Sequence, residues 1–221
     1  MKFQIKIKII ILLFCIPSTV IYCKNDNDDD KISKEEFSEN IPINIMSKGN
    51  LSESELLSFF STKNPEGDLE LIKKIIPIYV LESQKEGVNH DIAFAQMILE
   101  TGYLNYGGIV LKNQRNFCGL GATNAANRGW SFENDTLGVI AHIQHLKAYG
   151  STDTLNNQLV DPRYNLVSPK GKSPTIYGLT GTWAVDKQYA TKIYKILTEM
   201  YQHQMNNECI SDDNESTFGS K

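Results

Sequence analysis

In the stretch "AFAQMILETGYLNYGG", residues 93–108, Glu100 follows the apolar run Met97-Ile98-Leu99 and lies two residues before Gly102. A carboxyl at the C-terminal end of an otherwise apolar helix is partly desolvated and faces the negative end of the helix dipole. Both effects raise its pKa. A carboxylic acid that keeps its proton near neutral pH is what cleavage of a glycosidic bond requires as general acid. The alternative is an ordinary solvated glutamate in a last turn, and these residues alone do not decide between the two.

Other residue types with chemical potential are weaker candidates. Cys118 has no neighbouring base in the sequence that would lower its pKa, so its thiol reads as packing rather than as a nucleophile. His142 and His145 lie three apart on one helical face, a spacing that permits metal binding, but no third ligand accompanies them and they read as structural. The cysteines form no CxxC pattern, so neither a structural metal nor another cofactor is expected. Cys118 and Cys209 could pair in an oxidising compartment. Cys209 sits in a polar tail, however, and no structural disulfide is expected. Tyr103, Tyr106, Tyr164 and Tyr177 fall in loops, where aromatic rings suit stacking on sugars.

The elements that must position these residues are mainly helical. "LSESELLSFF" opens with Ser52 as N-cap and Glu55 three residues on, a capping box. A second helix starts at Asp68 and closes at Gly87, with apolar residues at 71, 72, 75, 76, 79 and 80 on one face. Pro77 inside it predicts a kink or a split. Asn89 caps the helix that carries Glu100, and Gly102 stops it. Residues 103–133 are rich in Gly and Asn and predict loops with a short hairpin. A helix returns from Asn134 or Asp135 to Gly150, a proline-bearing loop region spans 151–182, and a last helix begins at Asp186. The pattern is an all-α core with long polar loops that bear aromatic residues, and such loops would line a groove.

The two ends of the chain differ from this core. Lys2, Lys6 and Lys8 precede the apolar run from Ile9 to Ile16, and Pro17-Ser18-Thr19 breaks it. Residues 1–22 therefore read as an export signal, because the apolar run is too short for a membrane span of about 20 residues. Cys23 then stands where bacterial lipoproteins are acylated, while Tyr22 departs from the small residue that pattern wants, so anchored and unanchored forms both stay open. Residues 23–50 read as a polar linker, 51–205 as the folded domain and 206–221 as a disordered tail. The net charge is −4, with 26 acidic against 22 basic residues, which argues against a nucleic-acid partner. An exported monomer of the cell envelope or periplasm is expected.

Taken in order, "AFAQMILETGYLNYGG", "NFCGLGA", "GVIAHIQHLKAYGS", "VDPRY" and "GLTGTWAVDKQYATKI" resemble the glucosaminidase domain of glycoside hydrolase family 73, bacterial enzymes that cut peptidoglycan. The resemblance runs over residues 68–202. It implies a lysozyme-like fold, mainly α with a small β-hairpin lobe, and hydrolysis of the β-1,4 bond between N-acetylglucosamine and N-acetylmuramic acid in peptidoglycan glycan strands. It also implies that Glu100 is the catalytic acid, that Asn116, Phe117 and Gly119 shape the glycan-binding floor, and that Tyr189 lies near the reacting sugar. Trp183, in the same late motif as Tyr189, either stacks on a sugar or packs. Glu133 is the candidate for a second carboxylate. Without it, the substrate's own N-acetyl group would act as the internal nucleophile. A muramidase or lytic transglycosylase on the same fold, or an inactive glycan-binding protein, are the rival readings.

Overall fold

The computed structural model describes residues 41–218, with side chains through residue 207. The predicted export signal, Cys23 and most of the predicted linker lie outside the described residues. Five α-helices are present among them: α1 (Glu53–Lys63), α2 (Leu69–Glu86), α3 (His90–Thr101), α4 (Asp135–Gly150) and α5 (Tyr189–Phe218). Two short antiparallel strands, β1 (Ala122–Asn124) and β2 (Asn127–Arg128), form a hairpin between α3 and α4. The mainly α class with a small hairpin lobe is therefore what the chain adopts.

The helix boundaries follow the local signals. Ser52 and Glu55 close the capping box of α1, Asp68 accepts from the Leu71 N–H at the start of α2, and Asn89 and Asn134 cap α3 and α4. Gly87 and Gly102 end α2 and α3 in the left-handed conformation that glycine adopts without a Cβ penalty. Pro77 does not split α2, which is continuous. Pro77 faces solvent, where water can take the carbonyl that its missing N–H leaves free. α5 begins at Tyr189 rather than Asp186. Asp186 instead accepts from the Gln188 N–H in a turn before the helix and pairs with Lys192. The backbone of α5 continues to Phe218, through most of the stretch whose composition predicts a disordered tail.

The helix α3 is the centre of the molecule. Residues His90 to Ile98 are all buried, and the helix packs on α2, α4 and α5. Its apolar face meets Ile72, Ile75, Ile76 and Tyr79 of α2 and Ile193, Leu197 and Met200 of α5 in one continuous core.

The N-terminal limit of the folded body requires a correction. Residues 41–50 are not a linker. Ile41 and Ile45 are buried, and the segment bonds to the far loop through Ile45 N–H to Pro174 O at 2.9 Å and Ile176 N–H to Ile43 O at 2.9 Å. Asp91, fully buried, accepts from the Asn50 N–H at 2.7 Å and from the Tyr201 hydroxyl at 2.7 Å, which ties this segment to α5. The alternation Ile41-x-Ile43-x-Ile45 carried the signal, but the polar residues around it dominated the composition.

The loop region 151–182 is held down by polar groups on the buried helix α4. Gln144 accepts from the backbone N–H groups of Val160 and Asp161 at 2.8 and 3.0 Å and donates to Gln158 O at 2.8 Å. Lys147 donates to Glu86 at 2.9 Å, and Glu86 also accepts from the backbone of Asn156 and Asn157. These bonds fix the path of the chain toward Trp183.

Candidate active site

Glu100 lies in the last turn of α3 and lines an open pocket of about 350 Å³. Tyr106, Ile109 and Val110 form one wall, and Asn116, Gly119 and Ala122 form another. The wall after α3 is made possible by unusual backbone: Tyr103, Leu104 and Tyr106 all have positive φ, so the chain turns back sharply once the helix stops.

Two donors converge on one oxygen of Glu100. The Tyr189 hydroxyl donates to Oε1, and Trp183 Nε1 donates to the same Oε1 at 3.2 Å. Oε2 receives neither and faces Gly119, where a Cβ would stand 3.5 Å from it. Burial raises the carboxyl above its ordinary value of 4.5, while the Tyr189 and Trp183 hydrogen bonds pull the other way, and burial prevails. The group is thus an acid whose occupied oxygen is Oε1 and whose open oxygen is Oε2.

Each donor has its own support. Tyr189 opens α5, is 4% exposed and accepts from Gln96 Nε2 at 2.9 Å. Trp183 is half-buried between His145 and Tyr149, at ring-centroid distances of 5.0 and 5.1 Å. His145 is held in turn by Asp161 at 2.7 Å. Trp183 therefore reaches Glu100 through its indole N–H while its ring packs on His145 and Tyr149.

The other residues singled out in the sequence fall in different places. Asn116 is buried and braces the hairpin: its Nδ2 donates to Leu120 O and Trp130 O at 3.0 Å each, and its Oδ1 accepts from the Leu120 N–H at 2.8 Å. Phe117 is buried against Tyr79 and does not line the pocket. The Tyr103 ring packs on Phe60 of α1, 6.2 Å between centroids. Tyr164 is buried, with Lys170 over its ring at 3.6 Å. Neither tyrosine lines the pocket. Glu133 is exposed just ahead of α4 and does not line the pocket either. Cys118 is a free, buried thiol that burial pushes well up, consistent with packing. Among the described residues no group of three or more His, Cys, Asp and Glu side chains is arranged to hold a metal.

Sequence reasoning assigned no role to Gln96. Its signal was a polar amide inside the apolar run "AFAQMIL", which a buried helix tolerates only when the amide is fully bonded.

A test of the geometry arises at Gly119, whose φ of +67° disfavours any side chain. Gly119→Ala should lower the unfolding free energy by about 1–2 kcal/mol and set a methyl against Oε2. Fragment release should then fall by more than about tenfold. Thermal denaturation and a wall-digestion assay read the two effects separately, and an unchanged rate would show that Oε2 is not the working oxygen.

The family described as mannosyl-glycoprotein endo-beta-N-acetylglucosaminidase, or glucosaminidase, matches residues 76–202. The chain belongs to this glucosaminidase family and is a glycoside hydrolase. A protein of Borreliella burgdorferi strain B31, described as uncharacterized, is 47% identical over 173 residues, 78% of this chain and 82% of its own length. The chain is also similar to two solved structures of Staphylococcus aureus autolysin E. One is a catalytic mutant in complex with the disaccharide NAG-NAM (19% identity, TM-score 0.46, 72% of this chain and 71% of that one). The other is a complex with the muropeptide NAM-L-Ala-D-iGlu (20% identity, TM-score 0.47, 81% and 82%).

Proposed function

We propose that Glu100 is the general acid with which this glucosaminidase hydrolyses the β-1,4 bond between N-acetylglucosamine and N-acetylmuramic acid in peptidoglycan. The observation that carries the assignment is the pair of donors on Oε1. They leave the transferable proton on Oε2, directed at the pocket. Oε2 gives its proton to the leaving glycosidic oxygen as the C1–O bond breaks. Glu100 is the one carboxylate among the described residues that lines this pocket, which supports the substrate-assisted route over one that uses Glu133. In that route the carbonyl oxygen of the substrate's N-acetyl group closes on C1 to form a cyclic intermediate. Water then opens it at C1 while the Glu100 carboxylate takes the water's proton. Tyr189 holds Glu100 throughout. Asn116 and Gly119 shape the site from its lining, with the buried Phe117 behind them.

The protein acts as an exported monomer of the cell envelope. The leader-like residues 1–22 support export, and Cys23 would offer a lipid anchor if it is acylated. Intact-mass measurement of the membrane-extracted protein reads the anchor directly: a diacylglyceryl mass increment on Cys23 establishes it, and an unmodified N-terminus removes it.

Digestion of purified peptidoglycan, with borohydride-reduced products read by mass spectrometry, tests the reaction. Fragments ending in reduced N-acetylglucosamine are expected. A reduced muramic-acid end would make the enzyme a muramidase, and a 1,6-anhydro-muramic end a lytic transglycosylase. Binding to peptidoglycan with no fragments from folded protein would leave a glycan-binding role.

A further inference from the structure

Behind Glu100 runs a buried chain of polar side chains with one sense of donation. Trp183 Nε1–H can only donate, which makes Glu100 Oε1 an acceptor, and the Tyr189 hydroxyl donates to it as well. The Tyr189 oxygen accepts from Gln96 Nε2 at 2.9 Å. That fixes the amide orientation and turns Gln96 Oε1 toward His142 Nε2, 3.0 Å away. A carbonyl oxygen needs a donor, so His142 carries its proton on Nε2. Burial, with a smaller effect of His145, pushes the His142 pKa down to about 3, so the ring is neutral and Nδ1 is bare. Nδ1 then accepts from the Tyr79 hydroxyl at 2.9 Å. Tyr79, Gln96 and His142 are all 0% exposed, so water is not a competing partner. The far end of the chain is sealed by Phe94 and Phe117, whose rings lie edge-on to Tyr79. A proton sent inward would have no exit, which makes this an orienting network rather than a proton relay.

We propose that Gln96 and His142, with Tyr79 at the far end, are positioning residues that keep Oε1 of Glu100 a permanent acceptor and so confine its transferable proton to Oε2. The network stays the same whether Oε2 is protonated or not, because Oε1 accepts in both states. The acid therefore gives up and regains its proton with no hydrogen bond rearranged behind it, a form of preorganisation. The proposal rests on the assignment of Glu100 as the acid. The groups that face Glu100 are Tyr189 from α5, Trp183 from the loop before it, and Cys118 and Gly119 from the turn ahead of the hairpin. The Cys118 thiol stays neutral, so the donor chain and the Trp183 N–H are what can tune Glu100.

The experiment uses the folded enzyme labelled with 13C at the glutamate carboxyl and 15N in histidine. In the wild type His142 should be neutral from pH 5 to 8, with the proton on Nε2, and the opposite tautomer overturns the proposal. Gln96→Met removes both the donor to Tyr189 and the acceptor of His142. The titration midpoint of Glu100 should rise, because its ionised form loses support. The basic limb of kcat/KM should move up with it, and kcat should fall about tenfold with KM within about twofold. Tyr79→Phe should shift the midpoint in the same direction by less. It also keeps the test decisive if Gln96→Met fails to fold. A residue that merely packs would lower the melting temperature and leave the midpoint in place, and a midpoint unmoved in either folded variant overturns the proposal. The carboxyl titration needs no turnover. A wild type that releases no fragments would thus defeat the assignment of the reaction, while an unmoved midpoint would defeat the network whether or not fragments appear.

Discussion

Glu100→Gln is expected to cut fragment release by about a thousandfold, within the range that loss of a general acid brings, and to make the folded protein more stable at pH 7. Both effects come from the same geometry. A glutamine carbonyl at the Oε1 position still accepts from Tyr189 and Trp183, and its amide stands where Oε2 faced Gly119. The pocket therefore keeps its shape and loses its proton. The stability gain follows from the raised pKa of Glu100, which burial causes against its two hydrogen bonds. A carboxyl whose folded pKa lies above its unfolded value is costly to ionise in the folded state. The cost is absent below the unfolded value near 4.5 and grows as pH rises through the folded one. Glutamine removes it, with a gain of about 1 kcal/mol, or about 2–4 °C in Tm for a domain of this size. Calorimetry should find the gain at pH 7 and none at pH 4. A folded Glu100→Gln enzyme that cuts walls at the native rate would defeat the mechanism.

The largest stability effect is expected from Lys147→Met. The Lys147 ammonium and the Glu86 carboxylate meet at 2.9 Å, with side chains 3% and 2% exposed. Glu86 also accepts from the Asn156 N–H at 2.9 Å, the Asn157 N–H at 3.0 Å and Asn157 Nδ2 at 2.9 Å. Methionine fills the volume of the lysine stem and leaves Glu86 charged and buried without its cation. That costs about 3–5 kcal/mol, or roughly 10 °C in Tm. The double variant Lys147→Met/Glu86→Gln should recover much of it, because an uncharged amide can still accept from the loop backbone. The pH dependence follows as well. Burial raises the Glu86 pKa, but the Asn156 N–H, Lys147 and Asn157 together outweigh it and hold the group below 4.5. Stability from Glu86 is thus present above pH 4.5 and lost as pH falls toward the folded value. Without Lys147 that acid-side loss should shrink, which urea unfolding from pH 3 to 7 would detect. The clamp anchors the loop region that carries Asp161, His145's partner, and leads to Trp183. Activity per folded molecule should nevertheless persist at low temperature, and a Tm within a degree or two of wild type would show the pair to be dispensable.

The sequence alone determined where most of the helices start and stop. Ser52, Asp68, Asn89 and Asn134 start their helices through bonds to backbone a few residues away, and Gly87 and Gly102 stop theirs through a local φ. Such interactions are complete within a turn of the chain, so they are legible without the fold. Glu100 was legible only in part: the run Met97-Ile98-Leu99 before it and Gly102 after it left an acid and an ordinary last-turn glutamate both open, and the resemblance of the motifs singled it out. The tertiary structure alone decided what Glu100 touches. Tyr189 lies 89 residues away and Trp183 83. Nothing in the local sequence distinguishes a helix-start tyrosine that packs from one that donates to an acid. His142 read as structural because no third metal ligand accompanied it, and its partners Gln96 and Tyr79, 46 and 63 residues distant, meet it only in the fold. Residues 41–50 read as linker because their few isoleucines gain a core only when 174–176 and α3 come to meet them. Local propensity is a property of neighbours in sequence, whereas the satisfaction of a buried polar group depends on neighbours in space, and only the folded chain supplies those.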